Sequence, residues 1–187
     1  MRSKFTWLSA AVLVAAGILT SQPVQAQAPA WQSAIALGQT ATGFSGVTAT
    51  ATDASGNVYI AGSFTKTIQV GATILTSGAG EGIFVAKWSS STSSFVWAQR
   101  AGGAVSDYVT AIAVNGSNIY IAGGIKSLAA DFGNFTLTNA NQNSNAFSDD
   151  LFVAKLTDAG ASASFTWAQR AGGSELESVN DLVVVGS

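Results

Sequence analysis

The sequence predicts an all-β protein built from four-stranded antiparallel units, the β-propeller pattern, with two full repeats and a partial third. Three observations carry this. Apolar strings return: Phe84-Val85-Ala86-Lys87 as Phe152-Val153-Ala154-Lys155, Val58-Tyr59-Ile60-Ala61-Gly62 as Ile119-Tyr120-Ile121-Ala122-Gly123, and Trp97-Ala98-Gln99-Arg100-Ala101-Gly102-Gly103 unchanged from Trp167. Each string is short, rich in β-branched and aromatic residues, and bounded by Gly, Asn, Asp or Ser, which is the strand signature. Beyond the first residues no stretch sustains a helical period.

The elements follow in chain order. Arg2 and Lys4 precede an apolar run over 8–19, and small residues surround Ala26 and Ala28, so 1–28 reads as a secretory signal peptide. The run falls short of the ~20 residues needed to span a bilayer. The mature chain, 29–187, is therefore expected to be secreted or at the cell surface, and not membrane-spanning after cleavage. A strand over 31–37 begins at Trp31, the counterpart of Trp97 and Trp167, and reads as the last strand of a closing blade. Blade one covers about 47–100 and blade two about 108–170. The main strands of the second are expected at 109–114, 118–123, 150–156 and 164–170, with a short extra one at 135–138. Asp53-Ala54-Ser55-Gly56-Asn57 and Asn115-Gly116-Ser117-Asn118 read as hairpin turns, with Gly56 and Gly116 supplying positive φ.

The offset between copies is 61 at Tyr59 and Tyr120, 68 at Phe84 and Phe152, and 70 at Trp97 and Trp167. Most of the growth falls in the Asn- and Ser-rich loop over 139–148. Length change confined to turns fits a fixed scaffold with variable surface loops. A third unit starts at 177–187, where 182–187 aligns with 112–117 and ends as a Val-rich strand lacking a hairpin partner. An open apolar edge invites association, so the chain is expected to be a fragment of a larger protein or to take its partner strand from another chain. A β-solenoid or a stack of small sandwiches is the runner-up architecture.

The order Asp53, Gly56, Asn57, Tyr59, Gly62, then Phe84-Val85-Ala86-Lys87, then Trp97-Ala98 and Ala101-Gly102-Gly103, resembles the SBBP-type β-propeller repeat of secreted bacterial proteins. The second copy departs in carrying Asn115 for the Asp, in a turn one residue shorter, and Gly82 of the first stands where Asp150 stands in the second. The resemblance covers roughly 31–187. It implies a propeller fold in a secreted protein and says little about function, because propellers host unrelated activities.

Composition narrows the chemistry. Charged residues are 10% of the chain, and loss of Arg2 and Lys4 leaves six basic against ten acidic residues. That balance, with no basic patch, excludes a nucleic-acid partner. His and Cys are absent, which removes Ser-His and Cys-His nucleophiles and the usual zinc ligands. Val85-Ala86-Lys87 with Asp131-Phe132-Gly133, and Ser63-Phe64-Thr65-Lys66, match fragments of kinase and penicillin-interacting motifs whose partner motifs are missing. Glu175 and Glu177 share a face without a recurring acid pair, so they read as a solvated edge. No catalytic or cofactor-binding residue is assigned. Calcium is the one cofactor the residue types admit, with Asp53, Asp149, Asp150 and Asp158 in oxygen-rich turns, against the plainer reading of Asx-turns.

Arg100 and Arg170 recur with Asp107 and Glu177 seven residues on, and read as ion pairs fixing one blade against the next. Trp97, Trp167, Lys87 and Lys155 read likewise as structural repeat residues, with sugar stacking on the tryptophans as the alternative. The loop that breaks the repeat supplies the ligand candidates Asn139, Asn141, Asn143, Asn145 and Phe147. The expected function is a non-enzymatic binding scaffold for a protein or a surface glycan, with possible self-association through the open edge strand. The alternatives are a non-catalytic part of a polysaccharide-acting hydrolase or lyase, or a two-blade subunit of a self-assembling propeller.

Overall fold

Alternation decides the strands. Along Asp150–Asp158, Asp150, Phe152, Ala154 and Leu156 are buried, while Leu151, Val153, Lys155 and Thr157 between them are only partly so. In the computed structural model the described residues are 37–39, 43–140 and 149–185. They form thirteen β-strands and no helix. The first repeat contains β2 Ser45–Thr52, β3 Val58–Phe64, β4 Thr67–Val70, β5 Thr73–Thr76, β6 Gly82–Ser89 and β7 Ser94–Gly103, preceded by the two-residue β1 Gly38–Gln39. The second contains β8 Tyr108–Asn115, β9 Asn118–Ile125, β10 Ala129–Phe132, β11 Phe135–Thr138, β12 Asp150–Asp158 and β13 Ala163–Ala171.

All pairings are antiparallel, and the sheets are open. In each repeat the four long strands pair in chain order, β2-β3-β6-β7 and β8-β9-β12-β13. The short hairpins β4–β5 and β10–β11 interrupt the two series at the same point. The extra strand expected at 135–138 is β11, but its partner β10 was not legible. These hairpins add strands to neighbouring sheets. β10 pairs with the end of β7, through Ala130 with Gly103 and Asp131 with Gly102. β4 pairs in the same way with β1, through Gln69 with Gly38 and Ile68 with Gln39. The sheets therefore contain three, six and four strands.

The irregularities repeat as well. Register shifts between Val47 and Ala49 in β2, and between Val109 and Ala111 in β8, leaving Thr48 and Thr110 as bulged residues. Opposite each bulge stands a glycine whose backbone is approached closely. A Cβ on Gly62 would overlap the Gly46 carbonyl, and one on Gly123 the Tyr108 carbonyl. That contact explains why Gly62 and Gly123 end the recurring Tyr-x-Ala-Gly string. Gly56 and Gly116 hold φ of 76° and 58° in the hairpin turns, as expected.

The largest core lies between the repeats. Tyr59, Ile83, Val85 and Trp97 of the first pack with Val109, Ile119, Ile121 and Phe152 of the second. Phe132 bridges them: its strand pairs with β7, while its ring sits 4.7 Å from Phe152 and 5.6 Å from Phe165 by centroids. A second, smaller core of Phe64, Ile68, Val70, Leu75 and Phe84 lies within the first repeat.

One expectation changes at the ends, and others fall outside the described residues. The Val-rich strand at 182–187 is absent over its described part: 181–185 is irregular, with Val183 and Val185 exposed. A strand needs ladder bonds, and among the described residues no strand pairs with this segment. The strand expected at 31–37 lies outside the described residues up to 36, and the described pairing begins at Gly38. The leader 1–28 also lies outside the described residues. Among the described residues no helix is long and apolar enough to cross a membrane.

Candidate functional site

Polar side chains gather at two places, the boundary between the repeats and the base of the 139–149 loop. At the boundary, the end of β12 delivers Asp158 onto the first repeat. Lys87 Nζ lies 2.6 Å from Asp158 Oδ2, with the side chains 11% and 5% exposed. Trp97 Nε1 donates to Oδ1 at 3.1 Å, and the Gly160 N–H donates to the same oxygen at 2.8 Å. The Tyr59 hydroxyl lies 2.8 Å from Asp158 Oδ2 and 3.2 Å from Asp53 Oδ2. It has one proton to give, and the shorter bond to Asp158 takes it. Lys87 Nζ also sits 5.6 Å from the centre of the Tyr59 ring. Gln99 Nε2 donates across the same boundary to the Ala163 carbonyl at 2.7 Å.

Burial pushes the Asp158 carboxyl up, but the bonds from Lys87, Tyr59, Gly160 and Trp97 outweigh it and hold it below the usual carboxylate value. Burial, followed by the Asp158 and Asp53 carboxylates, raises the Tyr59 phenol far above its usual value. Asp53 closes its own turn, accepting from the Ser55 and Asn57 N–H groups at 2.9 Å and from Asn57 Nδ2 at 2.8 Å. These bonds prevail over a burial effect of opposite sign and lower its carboxyl. This is the Asx-turn reading of that residue.

At the loop base, the Tyr108 hydroxyl donates to Asp149 Oδ2 at 3.0 Å, and Lys126 Nζ lies 3.7 Å from that oxygen and 5.6 Å from the Tyr108 ring centre. Burial and then the Asp149 bond push the Tyr108 phenol up to about 12. Asp150 accepts from Arg170 Nη1 and from the Ala140 N–H, both at 2.6 Å. Asn139 Nδ2 donates to the Ile125 carbonyl at 2.8 Å. Both ends of the loop are thus fastened to the sheet. Asn141, Asn143, Asn145 and Phe147 lie outside the described residues.

The expected Arg100–Asp107 and Arg170–Glu177 ion pairs do not form. Asp107 is fully buried and accepts from the Gly103, Lys126 and Ser127 N–H groups at 2.6, 2.9 and 2.9 Å, and from the Ser127 hydroxyl at 2.8 Å. Glu177 accepts from the Gly173 N–H at 3.2 Å, the same place in the repeat. These acids close the turn after β7 and β13 because main-chain donors surround them there. Arg170 turns instead to Asp150. Arg100 has Gly82 at that position and donates only to the Gly102 carbonyl at 3.3 Å, leaving a buried Nε without a partner.

The structural repeat residues divide by copy. Trp97 is buried at the boundary, whereas Trp167 is partly exposed. Lys155 Nζ sits 5.8 Å from the Tyr120 ring centre, as Lys87 does over Tyr59, but no carboxylate pairs with it among the described residues. The four aspartates considered for calcium are each engaged by protein donors. No group of three or more metal-ligating side chains occurs among the described residues.

Sequence reasoning missed Thr48 and Thr110. The Thr48 hydroxyl donates to the Val109 carbonyl at 2.8 Å, and Thr110 to the Val179 carbonyl at 3.0 Å. Thr48 thus joins the first repeat to the first strand of the second, and Thr110 joins the second to the segment after β13. Their shared offset of 62 with Gly71 and Gly133 was the available signal. No protein-family model matches the chain, and no curated protein matches it.

Proposed function

We propose that the chain is a secreted or cell-surface β-propeller segment of the SBBP repeat type, with each four-stranded series a blade, and that it acts as a non-enzymatic scaffold for a protein or a surface glycan. The observation that carries this reading is the use made of the recurring polar residues. Lys87, Trp97, Tyr59, Asp107 and Arg170 are spent on joining units and closing turns. Residues occupied in that way are poor ligand contacts. The segment that departs from the repeat, 139–149, is fastened at both ends, where Asn139 donates to the Ile125 carbonyl and Asp149 and Asp150 accept from Tyr108 and Arg170. An insert on a rigid base is the usual place for binding residues on a repeat scaffold.

The test replaces 139–149 with the shorter equivalent 77–81 and compares binding of the two chains to arrayed glycans and to purified surface proteins. The swapped chain should keep its far-ultraviolet spectrum and lose the binding signal. A folded swap that retains every signal moves the binding site elsewhere. Cleavage of a polysaccharide by the wild-type chain overturns the non-enzymatic reading.

A further inference from the structure

One face of the sheet formed by β9, β12 and β13 carries three residues that match those the first repeat presents to the second. Tyr120, Lys155 and Trp167 stand where Tyr59, Lys87 and Trp97 stand, and the lysine lies over the tyrosine ring in both. In the first repeat this trio receives the Asp158 carboxylate and Tyr59 is 1% exposed. In the second, Tyr120 and Trp167 remain partly exposed. Two further features lie in the same register. Asp107 is filled by donors from Lys126 and Ser127, whereas Glu177 keeps a buried Oε2 with no partner. Gly102 and Gly103 are paired by β10, whereas Gly172 and Gly173 lie at the end of the edge strand β13.

We infer that Tyr120, Lys155 and Trp167 form a carboxylate-accepting docking face for a further β-unit of the same repeat, one that carries an aspartate on its outer hairpin, two N–H donors for Glu177, and a free short hairpin to pair with Gly172 and Gly173. The charge fits, since Lys155 pairs with no carboxylate among the described residues. The boundary between the two repeats supplies the geometry. A second copy of this chain does not meet the specification. Its first repeat carries Ser90 where the second carries Asp158, and its β4 edge is already taken by Gly38 and Gln39. The inference rests on the repeat-scaffold reading and names the partner of its open face.

The experiment extends the full chain after Ser187 with a second copy of residues 118–171, the frame set by the match of 182–187 to 112–117. The appended unit brings its own copy of Asp158. Docking should slow exchange of the Trp167 indole N–H, assigned by its loss in Trp167→Phe, by at least about tenfold. Lys155→Gln should raise the unfolding equilibrium constant of the extended chain by roughly tenfold or more and that of the original chain by less than about twofold, the difference between a buried and an exposed charge. Asn in place of the appended copy of Asp158 should reproduce the Lys155→Gln loss. Unchanged Trp167 exchange, or equal Lys155→Gln effects in both chains, overturns the inference. So does a wild-type oligomer that Lys155→Gln dissolves, since that outcome assigns the face to a second copy. Binding through 139–149 is read separately, so loss of the scaffold's ligand and loss of docking remain distinguishable.

Discussion

Lys87 of the first repeat and Asp158 of the second form an ion pair of 2.6 Å, 71 residues apart in sequence, at a boundary that both repeats close to water. Removing one member leaves the other charge buried without its partner. Lys87→Met should therefore destabilise the chain by about 3 kcal/mol. The double variant Lys87→Met, Asp158→Leu should recover part of that loss. Urea unfolding followed by tryptophan emission measures both. A single-variant loss below about 1 kcal/mol would mean that the pair behaves as a surface pair.

The same carboxylate sets an acid limit. Asp158 and Asp53 have folded values below their ordinary 3.8. A depressed carboxyl contributes stability above its unfolded value and loses it as pH falls through the folded value. Stability should hold from neutrality to about pH 4 and fall below it. Asp158→Asn should be less stable at pH 7 and show a shallower fall below pH 4. Equal slopes in the two chains would remove Asp158 from the acid transition.

Arg100 and Arg170 offer an internal control, being the same residue in two copies with different partners. Arg170→Leu strands Asp150, which is fully buried, and should cost about 3 kcal/mol. Arg100→Leu removes a group with one long bond and an unsatisfied Nε, and should cost under about 1 kcal/mol. Thermal unfolding of the two variants side by side decides this. Equal losses would mean that Gly82 in place of Asp150 is not what separates them.

How far the sequence reveals the structure depends on which interactions are local. The strings around Tyr59, Phe84 and Trp97 locate the long strands because alternation and turn residues act within a few positions. β10 was missed because Ala129-Ala130-Asp131-Phe132 carries little strand signal, and its pairing with Gly102 and Gly103 is a tertiary contact. The turn at Asp53 was legible for the same local reason. The role of Asp107 was not. Seven residues from Arg100 it invites an ion pair, yet it is the main-chain donors at Gly103, Lys126 and Ser127 that bond to its carboxylate. Asp158 escaped as a boundary residue because the first copy has Ser90 in its place, so no recurrence marked it.

Tyr108 ties the β8 strand to the loop base, and its chemistry gives an alkaline test. Its phenol is pushed up to about 12 by burial and by the bond to Asp149. A phenol raised on folding contributes stability that is complete below its unfolded value, near 10, and is lost as pH rises toward the folded value. The chain should therefore lose stability between about pH 10 and 12, with absorbance at 295 nm reporting delayed ionisation. Tyr108→Phe removes the hydroxyl but leaves Asp149 with Lys126 at 3.7 Å, so it should cost about 1 kcal/mol at pH 7. It should also make the segments at 139–140 and 149 exchange their amide protons faster, because the loop base then loses one of the bonds that fasten Asp149. Unaltered exchange at Ala140 and Asp149 would show that the other bonds hold the loop base without Tyr108.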